Sequence, residues 1–216
     1  MSRRQPGSAR DLAELIFGYG IILLVLWVPE HLQRILSPIA LLATLLIVLI
    51  LRQSRDELGF GLRGLVPSLW IFLAATVLAA LSILLAKTAG TLHPLYAGDA
   101  PHVIGYVLWT IYQQFLLQDY FMPRLTRLLP AKQSAISLAA VLFAAAHLPN
   151  LVLTAATLVW GAVSCALFLK YRNIYVLGIA QGLLGLCFAI CVPDALHHHM
   201  RVGLGYLNYH GTQPSP

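Results

Sequence analysis

LVPSLWIFLAATVLAALSILLA (residues 65–86) contains no acidic, basic or histidine side chain. As an α-helix it is about 33 Å long, enough to cross a hydrocarbon layer of about 30 Å. Working outward, similar apolar stretches lie at 12–28, 36–51, 101–122, 134–148, 151–169 and 174–193. The chain of 216 residues is 59% hydrophobic and only 10% charged. A soluble domain carries about a quarter charged residues, so a water-facing surface is excluded. The expected fold is all-α, a polytopic transmembrane bundle of about seven helices forming one membrane domain over 1–216. The first stretch follows MSRRQPGSAR and lacks a small-residue cleavage site, so it reads as a retained signal-anchor. The tail at 211–216, rich in Pro and polar residues, reads as disordered.

The net charge of +6 is a matter of topology rather than of nucleic acid. Arg3, Arg4, Arg10, Arg52, Arg55, Arg63, Arg124, Arg127, Lys132, Lys170 and Arg172 fall in one set of alternate loops, and only Arg34, Lys87 and Arg201 in the other. Positive residues accumulate on the cytoplasmic side. The N-terminus is therefore expected in the cytoplasm and the C-terminus outside, with the lipid bilayer as the first partner. Cys165, Cys187 and Cys191 lie in apolar stretches and read as small core hydrophobes, with no disulfide framework.

Polar side chains inside spans are costly, and each is a candidate functional group. Gln113, Gln114 and Gln118 share one region of the fourth stretch, and Gln113 lies about 18 Å from its Pro101 end. Gln181 is near the middle of the seventh stretch, where Gly178, Gly182 and Gly185 permit close helix approach. His147 follows Phe143 by one turn, and Pro149 ends the helix beyond it, leaving Asn150 to cap the next. These groups are expected to meet in one intramembrane pocket. Asp119, five residues from Gln114, points away from that pocket on an α-helix and is expected to snorkel or pair with Arg124 or Arg127. His31, His93, His102, His147, His197, His198, His199 and His210 all fall at the outer side of this topology. Of these, His197 and His199 with Asp194 make a candidate metal or haem-type site, against the simpler reading of a pH-sensitive interfacial tail.

Gln113-Gln-Phe-Leu-Leu-Gln118-Asp-Tyr-Phe-Met-Pro123-Arg124-Leu125 resembles the first motif of the CPBP family (CAAX proteases and bacteriocin-processing proteins, also called Abi), which is Glu-Glu-x-x-x-Arg leading to Pro-Arg-Leu. Phe143-x-x-x-His147, continuing to Pro149-Asn150, resembles the second motif. Gln181-x-x-x-Gly185 falls where the third has His-x-x-x-Asn or Asp, and Leu58-Gly59 ahead of the third stretch is also similar. The motif core covers about 101–193. The resemblance implies an intramembrane endopeptidase fold in which paired glutamates and histidines activate water, and a bacterial inner-membrane location. Here Gln113 and Gln114 stand at the glutamate positions, Gln118 at the arginine and Gln181 at a histidine; His147 alone matches a catalytic position. Glutamine cannot take up a proton near neutral pH and is a poor ligand for divalent metals.

Three readings follow. The first is a pocket-bearing binding or accessory protein without ordinary peptidase activity, its partner a lipid, a prenylated peptide or another membrane protein, with Phe143 and Asn150 contributing to binding. The second is an active CAAX-type endopeptidase that uses His147 with a non-standard acid such as Asp119. The third is the outer-face metal or haem site. No cofactor is specified by the residues.

Overall fold

The structure, a computed structural model, describes residues 9–50, 56–62 and 64–209. The expectations for Arg3, Arg4, Arg52, Arg55, Arg63, His210 and the tail at 211–216 lie outside them. The described residues form helices and no strands: α1 (Ala9–Trp27), α2 (Glu30–Ile50), α3 (Leu65–Ala89), α4 (Ala100–Phe115), a π-helical segment (Leu116–Phe121), α5 (Met122–Leu128), α6 (Lys132–Ala145), α7 (Leu151–Tyr171), α8 (Ile174–Cys191) and the short α9 (Asp194–His197) and α10 (Gly203–Leu207).

This is a helical membrane bundle. Among the described residues α2, α3, α7 and α8 are long and apolar enough to cross a membrane, and α6 is a shorter apolar helix. The outward faces are as apolar as a core. Ile50, Val66, Leu85 and Leu151 are each more than two-thirds exposed, a pattern that lipid tolerates and water does not. Inside, Phe115, Leu117, Tyr120, Leu125, Phe168, Ile174 and Leu177 pack as one cluster.

Two close helix approaches position the site. The buried face of α6 is Ala135, Ala139, Ala140 and Ala144, and it lies so near α7 that a Cβ on Gly161 would sit 3.2 Å from the Ala140 Cα. Where α8 meets α4, a Cβ on Gly178 would sit 2.7 Å from the Ile111 Cα. Thr110 Oγ1 uses this proximity to donate to the Gly178 carbonyl at 2.8 Å. With little apolar driving force between helices in lipid, such small-residue contacts supply the packing.

The fourth stretch departs from the uniform α-helix expected for it. All six residues of Leu116–Phe121 are buried, and the Met122 N–H reaches five residues back to the Leu117 carbonyl. Pro123, with no N–H for the carbonyl of Asp119, lies just beyond this change of register.

The expected pairing of Asp119 with Arg124 or Arg127 is corrected by the fold. Arg124, fully buried, donates to Glu14 Oε2 from Nε at 2.9 Å and from Nη2 at 2.6 Å. Arg127 pairs with Asp11 Oδ1. Both acids belong to α1, more than a hundred residues away in sequence, and they tie that helix to α5. α6 also ends earlier than expected, at Ala145, so His147 lies in the following turn, with its N–H bonded to the Ala144 carbonyl at 2.8 Å.

Candidate functional site

The four glutamines converge. Trp160 on α7 donates its indole N–H to Gln181 Oε1 at 3.0 Å. An indole nitrogen can only donate, so this bond orients the Gln181 amide and, through it, the others. Gln181 Oε1 also accepts from Gln114 Nε2 at 2.6 Å. Gln181 Nε2 then donates to Gln113 Oε1 at 2.5 Å. Gln114 Oε1 accepts from Gln118 Nε2 at 3.1 Å, and Gln118 Nε2 has a longer contact of 3.5 Å with Ser164 Oγ. Four amides from two separate helical rods thus form one directed chain. Its two ends differ. Gln113 Nε2, among the described residues, makes no hydrogen bond, and Gln118 Oε1 is buried without a partner.

Gln113 and Gln181 form part of the wall of an apolar cavity of about 1040 Å³, which His147 and Phe143 also line. His147 sets its Nδ1 2.7 Å from the Phe143 carbonyl. A carbonyl only accepts, so Nδ1 carries the proton and Nε2 keeps its lone pair. The Phe143 ring meets the imidazole edge-on, with centroids 5.0 Å apart. The glutamines and His147 thus bring to the cavity one amide donor, one imidazole acceptor and no formal charge from the glutamines, alongside the hydroxyls of residues such as Ser82, Tyr106 and Thr157. Gln114, fully buried, joins the cavity group to Gln118 rather than lining it.

Asn150 serves the fold. Its Oδ1 accepts from the Leu153 N–H at 3.1 Å and caps α7. Its Nδ2 donates to the carbonyls of His197 at 2.8 Å and Arg201 at 3.1 Å. The side chain staples the C-terminal segment to the helix start and is not on the cavity wall.

Asp119 is buried, with Oδ2 unpartnered, and it lines a second, smaller crevice that His147 does not. The two groups are thus not assembled as an acid–base pair.

His197, His199 and Asp194 lie together beyond α8, but they do not face a common point. His197 donates from Nε2 to the Val192 carbonyl at 2.9 Å and accepts the Met200 N–H at Nδ1 at 3.0 Å, so both ring nitrogens are engaged by backbone. His199 Nε2 lies 3.2 Å from Asp194 Oδ2, which also accepts from the Tyr209 hydroxyl at 2.5 Å. Among the described residues no three His, Cys, Asp or Glu side chains are arranged to hold a metal ion. The backbone over His198, His199 and Met200 is left-handed, so these residues do not fan around a helix. The three cysteines are free thiols.

Sequence reasoning missed Trp160. A tryptophan within an apolar span needs an acceptor for its N–H, which was the available signal, but nothing local names Gln181 as that acceptor.

Fold and site together define a helical membrane protein with a buried, neutral polar centre beside an apolar cavity. Residues 100–187, about two fifths of the chain, match the family described as type II CAAX prenyl endopeptidase Rce1-like, which supports the resemblance of this core to the CPBP family. No curated protein and no solved structure matches the chain.

Proposed function

We propose that this protein is a non-proteolytic member of the family that binds a lipid-like ligand, either a lipid or a lipid-modified peptide, in the cavity lined by Gln113, His147 and Gln181. The observation that carries the reading is the directed glutamine chain. At the positions where the family motif places ionisable groups, neutral amides hydrogen-bond one another and take their direction from Trp160. Such a centre stabilises a polar head by hydrogen bonding but offers no carboxylate to deprotonate water. The volume, about 1040 Å³, is at the upper end of the usual range for ligand pockets and suits an acyl or isoprenoid chain. The protein would reside in a bacterial inner membrane with its N-terminus in the cytoplasm and its C-terminus outside, as the basic-residue asymmetry supports.

The test uses purified full-length protein in nanodiscs with a fluorescent farnesylated peptide. Saturable binding without cleavage is the expected result, and Gln113→Leu should weaken the binding. Cleavage that His147→Ala abolishes would overturn it. That outcome would favour the second reading, an endopeptidase that uses the open Nε2 of His147 as base, with the Gln113 amide polarising the scissile carbonyl.

A further inference from the structure

The second crevice, of about 230 Å³, lies at the end of the bundle that holds Arg124, Arg127 and Arg172, and is lined by Gln118, Asp119, Glu57, Thr126, Arg127 and Arg172 among others. Two of these side chains are almost completely buried and short of donors. Asp119 is 1% exposed, and its Oδ2 has no hydrogen-bond partner among the described residues; Gln118 is also 1% exposed, and its Oε1 has none there. Buried oxygens of this kind cost free energy unless a donor reaches them.

Among the described residues the nearby cations do not supply one. Arg124 is held by Glu14 and Arg127 by Asp11. Arg172 directs Nη1 to the Glu57 carbonyl at 3.3 Å, and its guanidinium lies over the Phe168 ring. The amide chain cannot help either. Trp160 orients Gln181, Gln181 orients Gln114, and Gln114 takes the Gln118 Nε2 donor, which leaves the buried Gln118 oxygen without a donor from this chain. Both acceptors also sit in the π-helical segment, a local register that recurs at functional sites.

We propose that Gln118 and Asp119 form a binding site for a primary ammonium group, separate from the cavity of His147. An ammonium carries three N–H donors and no acceptor, which matches a carboxylate beside an amide oxygen. Its bond to the carboxylate is charge-assisted and roughly twice as strong as a neutral one. The crevice is several times the roughly 30 Å³ share of one water and takes an ammonium with a short carbon stem. A quaternary ammonium lacks the N–H groups that these oxygens require. Arg172 on the same wall is placed to meet an anionic group attached to the amine, as in an ethanolamine phosphate head. The same chemistry is offered by a phosphatidylethanolamine headgroup and by a free amine.

The experiment uses full-length protein and two arms, each reading the thermal unfolding midpoint by tryptophan fluorescence. In phosphatidylcholine nanodiscs, methylammonium chloride is titrated against tetramethylammonium chloride at equal ionic strength. In the second arm, nanodiscs containing phosphatidylethanolamine are compared with phosphatidylcholine alone. A rise of the midpoint with methylammonium but not tetramethylammonium, removed by Asp119→Asn, upholds the proposal and identifies a free amine as sufficient. An ethanolamine-lipid rise alone, removed by the same substitution, upholds it and identifies the headgroup. Gln118→Leu should raise the half-saturating concentration about tenfold, the loss of one hydrogen bond to a charged group, and takes the place of Asp119→Asn if that variant does not fold. No rise dependent on these residues in either arm overturns the proposal.

Discussion

Trp160 Nε1 and Gln181 Oε1, 3.0 Å apart, determine which way every amide in the buried centre faces. One donor-only group on an interior member of the chain leaves, among the described residues, Gln113 with a free N–H at the cavity end and Gln118 with a free oxygen at the other. The family pattern would place charge at these positions; this chain has a polarised but uncharged relay.

Trp160→Phe removes that donor while keeping most of the ring volume. The expected loss is about 1 kcal/mol of stability, read as a lower unfolding midpoint in nanodiscs. Gln181 can then turn its amide, so ligand affinity at the cavity should change more than stability does. An unchanged affinity would show that the direction of the relay has no bearing on binding.

Gln114→Leu tests the middle of the relay. Gln114 is fully buried and bonded on both sides, so Leu strands the Gln118 donor and removes one of the two donors to Gln181. A destabilisation of about 1–3 kcal/mol is expected for the groups left unsatisfied, measured by chemical unfolding in mixed micelles. Gln113→Leu, at the cavity end, should cost less stability and more ligand affinity.

The two partners of the buried ion pair should not be equivalent. Glu14→Ala leaves the guanidinium of Arg124 fully buried without its carboxylate, and a cost of about 3 kcal/mol or more is expected. Arg124→Met leaves Glu14 partly exposed and still bonded to Arg10, so the cost should be smaller. Equal effects in unfolding measurements would contradict this asymmetry.

Acid should loosen the segment beyond α8. Burial holds His197 below its ordinary imidazole value. Burial also pushes Asp194 upward, but the Tyr209 hydroxyl, the His199 N–H and the nearby imidazoles outweigh it, so its carboxyl lies below the usual range. Both folded-state values are depressed, so both groups favour the folded arrangement above their unfolded values, and that contribution is lost as pH falls. His197 acts first, below pH about 6.5, because protonating Nδ1 removes the acceptor of the Met200 N–H; Asp194 follows below about pH 4. Hydrogen exchange at Met200 should accelerate through the first window in the native protein, and His197→Gln should flatten that response.

Much of this architecture can be read along the chain because a bilayer imposes local rules. A segment such as 65–86 must satisfy its backbone internally and face lipid, which makes it a helix whatever its neighbours are. Pro149 and Asn150 likewise signal a helix end and a cap from their own chemistry, and Asn150 does cap α7. The motif spacing also singled out Gln113, Gln114, Gln118 and Gln181, whose amides hydrogen-bond one another in the fold.

Other features depended on groups far apart in sequence. Asp119 is expected from sequence to snorkel or to pair with Arg124 or Arg127, yet Arg124 binds Glu14 on α1 and Arg127 binds Asp11, because an ion pair forms with whichever acid the fold brings within reach. Asp119 was placed by α-helical geometry, whereas it occupies a π-helical segment and lines its own crevice. The sequence by itself determined a helical membrane protein with a neutral polar centre, since hydrophobic length and side-chain chemistry are properties of the segments themselves. Only the tertiary structure decided that Trp160 directs the amides, that His147 and Asp119 belong to different cavities, and that two buried oxygens at the basic end lack donors among the described residues, since hydrogen-bond direction depends on the position of every partner at once.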